Sequence, residues 1–414
     1  MQLPDGIRKS ANILLCLVAV AGIGFSGREI WQNLHARQQI DAGCGGLVPA
    51  GRVLALDRAG GRITHRRGEE GTIELDQLAD EGAQGCELFS EKLGGRWFFT
   101  ATVGVFPTAG FVVADNVISS PLDQEGGQTY PAQPLGGGIT GSVDDLGVTV
   151  KLDCPGGELD GKSFDALWAR AELHASVLWL EHGQPGGHDR NVLAETAVST
   201  ANNLAERLGC AERLPDPPTG IPALPEGTVP VGRTEGTCAW YRESGLAERD
   251  GFPDEALEGR VDDALWDERC ALILTEAEAW ELYYARAGDL ELPSDPGEYG
   301  DWFITFHTYL GEDARRVKVP RIGDDPITAP HGTAGRGPDR AIWWASSTCD
   351  GRPQIHTMTI AHGYDRLLAA ETEVLFRAYV TEITDRRGCT DLAFPESDSF
   401  RSPLDETTPL HDIT

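Results

Sequence analysis

Eight of the nine cysteines in this chain of 414 residues fall into two sets of four, and they constrain the fold more than any other feature. In chain order the sets are Cys44, Cys86, Cys154, Cys210 and Cys238, Cys270, Cys349, Cys389. Matching members lie 194, 184, 195 and 179 residues apart. Even numbers of cysteines are typical of structural disulfides in an oxidising compartment. The spacing therefore predicts a duplicated, disulfide-containing domain.

Residues beside the cysteines favour the same duplication. Trp97 and Trp280 follow the second cysteine of each set by 11 and 10 residues, each with two aromatic residues directly or soon after it. Segments 188–210 and 364–389 both begin with Asp-Arg at their second and third positions, continue to Ala-Glu-Thr and end in Gly-Cys. A period this long indicates repeated domains rather than a solenoid, whose units have about 20–50 residues.

The duplication also reduces the number of possible disulfide pairings. Eight cysteines allow about 105 pairings, and about three remain if each repeat is closed and both pair alike. The favoured scheme is Cys44–Cys86, Cys154–Cys210, Cys238–Cys270 and Cys349–Cys389. The sequence contains no Cys-x-x-Cys pair, so a zinc site is not expected.

An apolar segment at residues 11–25 follows Arg8 and Lys9. Its length lies between a signal-peptide core of roughly 7–15 residues and a spanning helix of roughly 20. Extension to Trp31, an interfacial residue type, predicts an uncleaved single-pass signal anchor at residues 11–31 in the plasma membrane. The basic residues keep the N-terminus cytoplasmic and place the rest outside. The alternative is cleavage and secretion.

The remaining organisation follows from composition and periodicity. In each repeat, segments with strand character precede a terminal helix, which predicts two tandem, similar α+β domains after the transmembrane helix. The segment at 280–285 is among the predicted strands. The predicted segments are a cytoplasmic N-terminus at 1–10, a juxtamembrane stalk at 32–43, ectodomain repeat 1 at 44–212, a Pro-rich linker at 213–231, ectodomain repeat 2 at 232–392 and a disordered acidic tail at 393–414.

The net charge of −30 restricts the possible partners. A strongly negative surface repels nucleic acid, because that binding depends on neutralising phosphates. Apart from the membrane itself, the expected partner is an envelope protein, a wall polymer or a small ligand.

One segment matches a known ligand-binding pattern. Gly156–Ser163 reads Gly-Gly-Glu-Leu-Asp-Gly-Lys-Ser and fits the phosphate-loop pattern, in which backbone N–H groups wrap phosphates. The second repeat has no such loop, and Cys154 is expected to be in a disulfide only two residues earlier. A glycine-rich turn is the favoured interpretation, and no cofactor is expected.

The other candidates are histidines and two Asp-Arg pairs. His174 and His356 are placed at comparable positions on the last strand of each repeat, and His182 and His188 flank a Gly-rich loop. They are interpreted as exposed loop histidines, and no metal site is expected. The pairs Asp189-Arg190 and Asp365-Arg366 precede the terminal helices. They are either helix N-caps, which is the favoured interpretation, or ligand contacts.

These features resemble those of uncharacterised, membrane-anchored envelope proteins common in high-GC actinobacteria. The resemblance is carried by Arg8-Lys9 before the apolar segment, by the cysteine modules at 236–244 and 267–274, and by an Arg-, Ala-, Gly- and Pro-rich composition. It implies an extracytoplasmic location and no particular activity. We expect a non-enzymatic binding or interaction module. The alternative is an envelope hydrolase whose carboxylates cannot be identified from the sequence, and no catalytic residue is predicted.

Overall fold

The computed structural model describes most of the chain between residues 30 and 400. The described residues are 30–66, 71–81, 83–107, 131–174, 184–265, 267–286, 296, 302–321, 325–338, 341–361, 363–368 and 371–400. The predicted membrane anchor at 11–31 lies almost entirely outside them. Among the described residues, no helix combines the length and the apolar character needed to cross a membrane.

The first half of the protein, residues 30–224, is a seven-stranded sheet with one long helix against it. Its helices are α1 (residues 30–43), α2 (Ala50–Val53), α3 (Leu78–Glu81) and α4 (Gly187–Arg207), and its strands are β1 (Ile63–His65), β2 (Ala83–Ser90), β3 (Arg96–Pro107), β4 (Gln133–Gly136), β5 (Ile139–Val143), β6 (Gly147–Leu159) and β7 (Lys162–Leu173). The strand order is β1-β2-β3-β7-β6-β5-β4, and neighbours are antiparallel. Leu193, Ala197, Ala201 and Leu204 recur at helical spacing on α4 and are fully buried.

The second half, residues 225–400, has the same layered design. Its helices are α5 (Ala239–Glu243), α6 (Glu276–Arg286), α7 (Tyr364–Leu367) and α8 (Thr372–Arg387), and its strands are β8 (Val229–Pro230), β9 (Glu255–Glu258), β10 (Asp267–Ile273), β11 (Phe303–Leu310), β12 (Lys318–Val319), β13 (Ile327–Thr328), β14 (Gly335–Arg336), β15 (Ile342–Cys349), β16 (Arg352–Ile360) and β17 (Thr390–Ala393). The main sheet has the order β14-β15-β16-β11-β10-β9-β8, with β17 beside β15. The fold is α+β with mostly antiparallel sheets, as the sequence predicts.

Five strands occur in the same order in both halves. The run β1-β2-β3-β7-β6 in the first half corresponds to β9-β10-β11-β16-β15 in the second, and in both halves the long helix comes after the last of these strands. Along the chain, additional short strands separate the third of these strands from the fourth. They are β4 and β5 between β3 and β6, and β12, β13 and β14 between β11 and β15. The shared order gives a frame for comparing the halves residue by residue.

Strand register identifies the matching tryptophans. Cys86 lies opposite the residue four positions after Trp97, and Cys270 lies opposite the residue four positions after Trp302. Trp302 is therefore the counterpart of Trp97, and the predicted match between Trp97 and Trp280 is wrong. Trp280 lies in α6, so the predicted strand at 280–285 is a helix.

The described cysteines form the four disulfides of the favoured scheme, Cys44–Cys86, Cys154–Cys210, Cys238–Cys270 and Cys349–Cys389. In each half one bridge joins a segment before the first of the five strands to the second strand (β2 or β10), and the other joins β6 or β15 to a cysteine two or three residues after the long helix. The bridges span sequence separations of 42, 56, 32 and 40 residues. Closing loops of this size stabilises the folded state by about 4 kcal/mol each if the effect is entropic.

Buried charges join the two halves. Lys151 of β6 is 6% exposed and pairs with Asp313, which is 1% exposed and lies in a 3-10 helix of the second half, Gly311–Arg316. Arg316 donates to Asp165 of β7 at 2.9 Å. The Phe106 ring lies below both cations, 5.4 Å from Lys151 Nζ and 5.5 Å from Arg316 Cζ. Removing one partner of a buried pair is strongly destabilising, so we expect the contact between the halves to depend on these residues.

Three predicted boundaries are corrected by packing. The helix that includes the predicted stalk at 32–43 belongs to the first core, because Ala36 and Ile40 of α1 are buried there. The Pro-rich segment 213–231 is largely irregular as predicted, but Ile221 and Leu224 are buried in that same core. The tail predicted to be disordered from residue 393 is ordered as far as Phe400, whose ring is buried and stacks on Trp343. Residues 401–414 lie outside the described residues.

Candidate functional site

The first turn of α4 contains two polar side chains that reach a loop far away in sequence. Asp189 is 2% exposed, and its Oδ1 accepts a hydrogen bond from the backbone N–H of Asp57 at 2.9 Å. His188 Nε2 lies 2.8 Å from the carbonyl oxygen of Ala55. An acidic residue in a first helical turn is stabilised by the positive end of the helix dipole. The start of α4 is thus fastened to the loop that follows α2.

These contacts bring together a set of possible metal ligands. One ligand atom from each of Asp57, His188 and Asp189 lies within 4.8 Å of the other two. Asp57 and His188 are exposed, whereas Asp189 is enclosed. In the described part of the chain, this is the one place where three or more histidine, cysteine, aspartate or glutamate side chains converge in this way.

The electrostatics of the group are those of neighbouring negative charges. Burial raises the pKa of the Asp189 carboxyl, the Asp57 carboxylate raises it further, and the hydrogen bond from the Asp57 N–H opposes both. The pKa of His188 is raised because the Ala55 carbonyl accepts from its ring and because Asp57, Asp189 and Glu195 attract a positive charge. A cation is therefore favoured beside the two carboxylates.

The Ala55 carbonyl also fixes the tautomer of His188. A carbonyl oxygen can only accept a hydrogen bond, so Nε2 must carry the proton. In the neutral ring the lone pair is then on Nδ1, which leaves that nitrogen able to bind a metal. Metal-binding histidines usually donate their other ring N–H to a carbonyl or carboxylate in this manner.

The second half performs the same anchoring with groups that leave no imidazole nitrogen. Tyr364, the counterpart of His188, donates its hydroxyl to the carbonyl of Gly251 at 2.9 Å. Asp365, the counterpart of Asp189, accepts from the N–H of Gly363 at 3.1 Å. A long-range contact from the start of the helix to a loop is thus common to both halves through His188 and Tyr364, whereas the Asp365 bond is to a residue two positions earlier.

Neither of the two Asp-Arg pairs supplies the N-cap of its helix. The residues that cap α4 and α7 are Gly186 and Gly363, and the aspartates lie within the first turn, so the N-cap interpretation is wrong. Arg190 is buried and donates to the carbonyl oxygens of Pro185 at 2.6 Å and Ile221 at 3.2 Å. It holds the Pro-rich segment against α4.

A second polar group lies inside the second half, between the sheet and α8. The two ring nitrogens of His356 lie 2.9 Å from the hydroxyl oxygens of Thr308 and Ser347. The Thr308 hydroxyl is also 2.8 Å from the Tyr379 hydroxyl. On the same face, Glu268 of β10 pairs with Arg386 and Arg387 of α8.

The Ser347–His356 pair has the geometry of a nucleophile beside a base, but it is closed to substrates. Both residues are 0% exposed, and burial lowers the pKa of His356 to about 3, so its ring is neutral at physiological pH. A neutral imidazole has one donor and one acceptor, and the flanking hydroxyls can satisfy both. We therefore interpret this group as a hydrogen-bonded part of the core.

His307 and Asp267 form a related pair on the opposite face of the sheet. His307 Nδ1 lies 3.0 Å from the Asp267 carboxylate, and both side chains are 5% exposed. Burial opposes ionisation of Asp267, but Arg269 and His307 outweigh it and lower the pKa of that carboxyl. The pair lies beside a separate apolar cluster formed by the 3-10 helix, β12 and this sheet face.

The glycine-rich segment Gly156–Ser163 is a β-hairpin. Its Asp160 and Gly161 have φ angles of 50° and 76°, and Asp350 and Gly351 take φ angles of 51° and 72° in the corresponding hairpin. Successive positive φ angles define a type I′ turn, for which Asp-Gly is a preferred sequence. The segment joins β6 to β7 and does not lead into a helix, which confirms the prediction of a turn.

The remaining histidine predictions have mixed outcomes. His174 follows β7, and its ring stacks on Trp97 with centroids 3.9 Å apart. Its backbone bonds the carbonyl of Phe98, as Ala361 bonds that of Phe303, so the predicted equivalence of His174 with His356 is wrong. His188 is exposed as expected but lies in the first turn of α4 and not in a loop. The interpretation as an exposed loop histidine is wrong for His356, which lies on β16 and is 0% exposed. His182 lies outside the described residues.

Comparisons with known proteins add no information on the candidate site. No protein family, curated protein or solved structure matches the chain. Asp57 was not identified by sequence analysis, because it lies 131 residues before His188 and no spacing pattern connects them.

Proposed function

We propose that this protein is a membrane-anchored, extracytoplasmic module of the cell envelope that binds a protein, a wall polymer or a small ligand. One observation carries the proposal: two disulfide-containing halves are held as one body by buried ion pairs. Disulfides favour an oxidising compartment. Two similar domains in a fixed arrangement provide a composite surface, which is a common location for ligand sites.

The exposed part of α1 supports the predicted anchor. Ile30, Trp31 and Leu34 are 60%, 66% and 57% exposed, directly after the apolar N-terminal segment. Tryptophan and large apolar residues at the end of a spanning helix are typical of the membrane interface. We therefore retain the plasma membrane as the proposed location, with secretion after cleavage as the alternative.

We also infer that the two halves arose by tandem duplication. The shared order of five strands, the two matching disulfides in each half and the Asp-Gly turns support this inference. Thr196 and Thr372 add a local parallel, because each belongs to an Ala-Glu-Thr sequence and donates to the carbonyl four residues earlier, at 2.7 and 2.8 Å.

An envelope hydrolase remains the rival function. The observation in its favour is the closeness of the Asp57 and Asp189 carboxylates, since paired carboxylates perform general acid–base chemistry. Enclosure of Asp189 and its bond to a backbone N–H favour a holding role over proton transfer during turnover.

The proposed location can be tested in an actinobacterial host. Intact cells expressing the full chain are treated with protease, and the chain is then mapped by mass spectrometry under non-reducing conditions. We expect digestion from outside, four intramolecular disulfides and an intact N-terminal peptide. Free thiols or complete protection would contradict the proposed location.

The binding role is tested with the purified full chain. It is incubated with isolated cell-wall sacculi and with detergent-solubilised envelope proteins, followed by chemical cross-linking. A control sample is reduced and alkylated, so that it has the same composition without the disulfide-dependent structure. Saturable binding by the native sample alone supports the proposal. Hydrolysis of wall material without retention would instead favour the rival.

A further inference from the structure

We propose that Asp57, His188 and Asp189 bind a divalent transition-metal cation at the start of α4, with water completing its coordination. The proposal concerns one site in the first half and does not depend on the identity of any envelope partner. The three side chains converge from a loop and from a helix turn, each with a ligand atom within 4.8 Å of the other two.

The ligand types select the class of metal. An imidazole nitrogen with carboxylate oxygens suits zinc and its transition-metal neighbours, whereas calcium and magnesium prefer oxygen ligands alone. Three protein ligands with an open fourth position are typical of accessible zinc sites. Asp57 and His188 are exposed, so water can reach the metal from their side.

The distances require only a small contraction. In a tetrahedral shell with bonds of about 2.1 Å, neighbouring ligand atoms lie about 3.4 Å apart. The present separations are at most 4.8 Å. Rotation of the exposed Asp57 side chain can close this difference, while Asp189 is held by the hydrogen bond from the Asp57 N–H and His188 by its hydrogen bond to the Ala55 carbonyl.

To bind a cation, the negative charge of the ligands must exceed the positive charge at the start of α4. The first turn of α4 contributes roughly half a positive charge, and Arg58 adds one nearby that stabilises the Asp189 carboxylate. Asp57 and Asp189 together supply two negative charges, so the group remains negative. Glu195 also attracts positive charge, although it pairs with Arg52 at 2.6 Å.

The matching site in the second half shows that the start of the helix can be anchored by residues other than the proposed metal ligands. Tyr364 and Asp365 hold their helix start through the Gly251 carbonyl and the Gly363 N–H, and no three possible metal ligands converge there among the described residues. Anchoring therefore does not require the His188–Asp57 combination. What the first half adds, among the described residues, is an imidazole ring with a ligand atom within 4.8 Å of two carboxylates.

The direct test measures zinc binding to the full chain. The protein is purified, stripped with EDTA, and titrated with zinc chloride by calorimetry; cobalt(II) is then used as a spectroscopic probe. We expect one saturable zinc site per chain, and visible absorption bands of four- or five-coordinate cobalt. Absence of a saturable site would overturn the proposal, as would a site that binds calcium and rejects zinc.

Two variants assign the site to these residues. In His188→Gln the side-chain amide can still donate to the Ala55 carbonyl but offers no imidazole. In Asp57→Asn the backbone N–H that bonds Asp189 is retained. Each should weaken zinc binding by more than about 100-fold, beyond the effect typical of residues outside the coordination shell.

The matched control is Asp365→Asn in the second half, which should leave zinc affinity unchanged. Circular dichroism and thermal unfolding of the metal-free proteins verify that each variant is folded. Wild-type affinity in both His188→Gln and Asp57→Asn would show that zinc binds elsewhere and would refute the assignment.

Discussion

The inner faces of the two sheets have the same framework but different chemistry. At three positions between the sheet and the long helix, the first half has aliphatic side chains and the second half has hydrogen-bonding ones. The matched positions are Val103 and Thr308, Leu152 and Ser347, and Ala169 and His356. All six side chains are buried.

This difference shows that the same disulfide pattern and strand order can accommodate either aliphatic or hydrogen-bonding side chains at matched core positions. Burying an unpaired polar group costs about 1–3 kcal/mol, yet Thr308, Ser347 and His356 satisfy one another and also engage Tyr379. A satisfied network can replace an apolar contact, but only when all its members are present. The second half should therefore be more sensitive to single changes and to acid.

The largest expected effect tests what the halves share. Removing Cys154–Cys210 or Cys349–Cys389, by alanine at both positions, should lower the free energy of unfolding by about 4 kcal/mol in each case. The two sequence separations, 56 and 40 residues, differ too little to separate the effects. Chemical denaturation provides the comparison. A change confined to one half would contradict equivalent roles for the two bridges.

The next effect tests the contact between the halves. Lys151→Met removes the cation closest to the buried Asp313 carboxylate and leaves it with Arg316, 4.0 Å away, which should cost about 3 kcal/mol. Calorimetry should then show two unfolding transitions where the wild-type protein shows one. Adding Asp313→Leu should recover part of the loss, because the incompletely compensated buried carboxylate is removed. Lys162→Met is the control, since Lys162 is exposed and its ammonium donates to the carbonyl oxygen of Ala79 in the same half.

Acid should distinguish the two halves. The folded-state pKa of His356 is about 3, below its ordinary value of 6.5, because burial disfavours the charged ring. The unfolded chain therefore binds a proton first as the pH falls. This contribution to stability is complete above pH 6.5 and is lost progressively between pH 6.5 and about 3, with a slope approaching about 1.4 kcal/mol per pH unit.

His356→Gln isolates that contribution. Glutamine can donate and accept hydrogen bonds but does not titrate, so the variant should lose less stability than wild type between pH 6.5 and 5. Denaturant midpoints at a series of pH values measure the difference. His174→Gln in the first half is the control, because His174 lies outside the polar network and is partly exposed. Parallel profiles for wild type and His356→Gln would show that protonation of His356 does not limit stability.

The smallest effect compares the two Asp-Gly turns. Gly161 and Gly351 have φ angles of 76° and 72°, and a Cβ atom at either position would meet nothing within 4 Å. Alanine there should cost only the backbone strain of the left-handed conformation, about 1 kcal/mol at each turn. Gly232→Ala is the control, because its φ is not in that region and its surroundings are also open. Unequal losses at the two turns would mark a difference between the hairpins.

The sequence was sufficient to predict features that repeat. Cysteine spacing led to the observed disulfides, and apolar residues at helical spacing before Gly209 predicted the first long helix at 191–208, close to its observed bounds. It failed at 280–285, where aromatic residues suggested a strand. The acidic residues Glu276 and Glu278 in the first turn, and Ala279, Leu282 and Tyr283 at helical spacing, were the better signals.

The candidate metal site could be anticipated only in part. His188 and Asp189 were individually identified, but Asp57 joins them only through the packing of the loop after α2 against the start of α4. The polar network was hidden for a similar reason. Strand pairing brings Thr308 beside His356, and neither residue has a sequence neighbour that reveals its burial.

The position of Cys44 has a mechanical consequence for a chain held at its N-terminal end. The residue directly follows α1, and its bridge leads into β2, the second strand of the first sheet. Tension entering through α1 therefore passes across the sulfur–sulfur bond to a strand that is hydrogen-bonded on both sides. The segment between the two cysteines, including β1 and the loop that contains Asp57, is bypassed and remains unloaded.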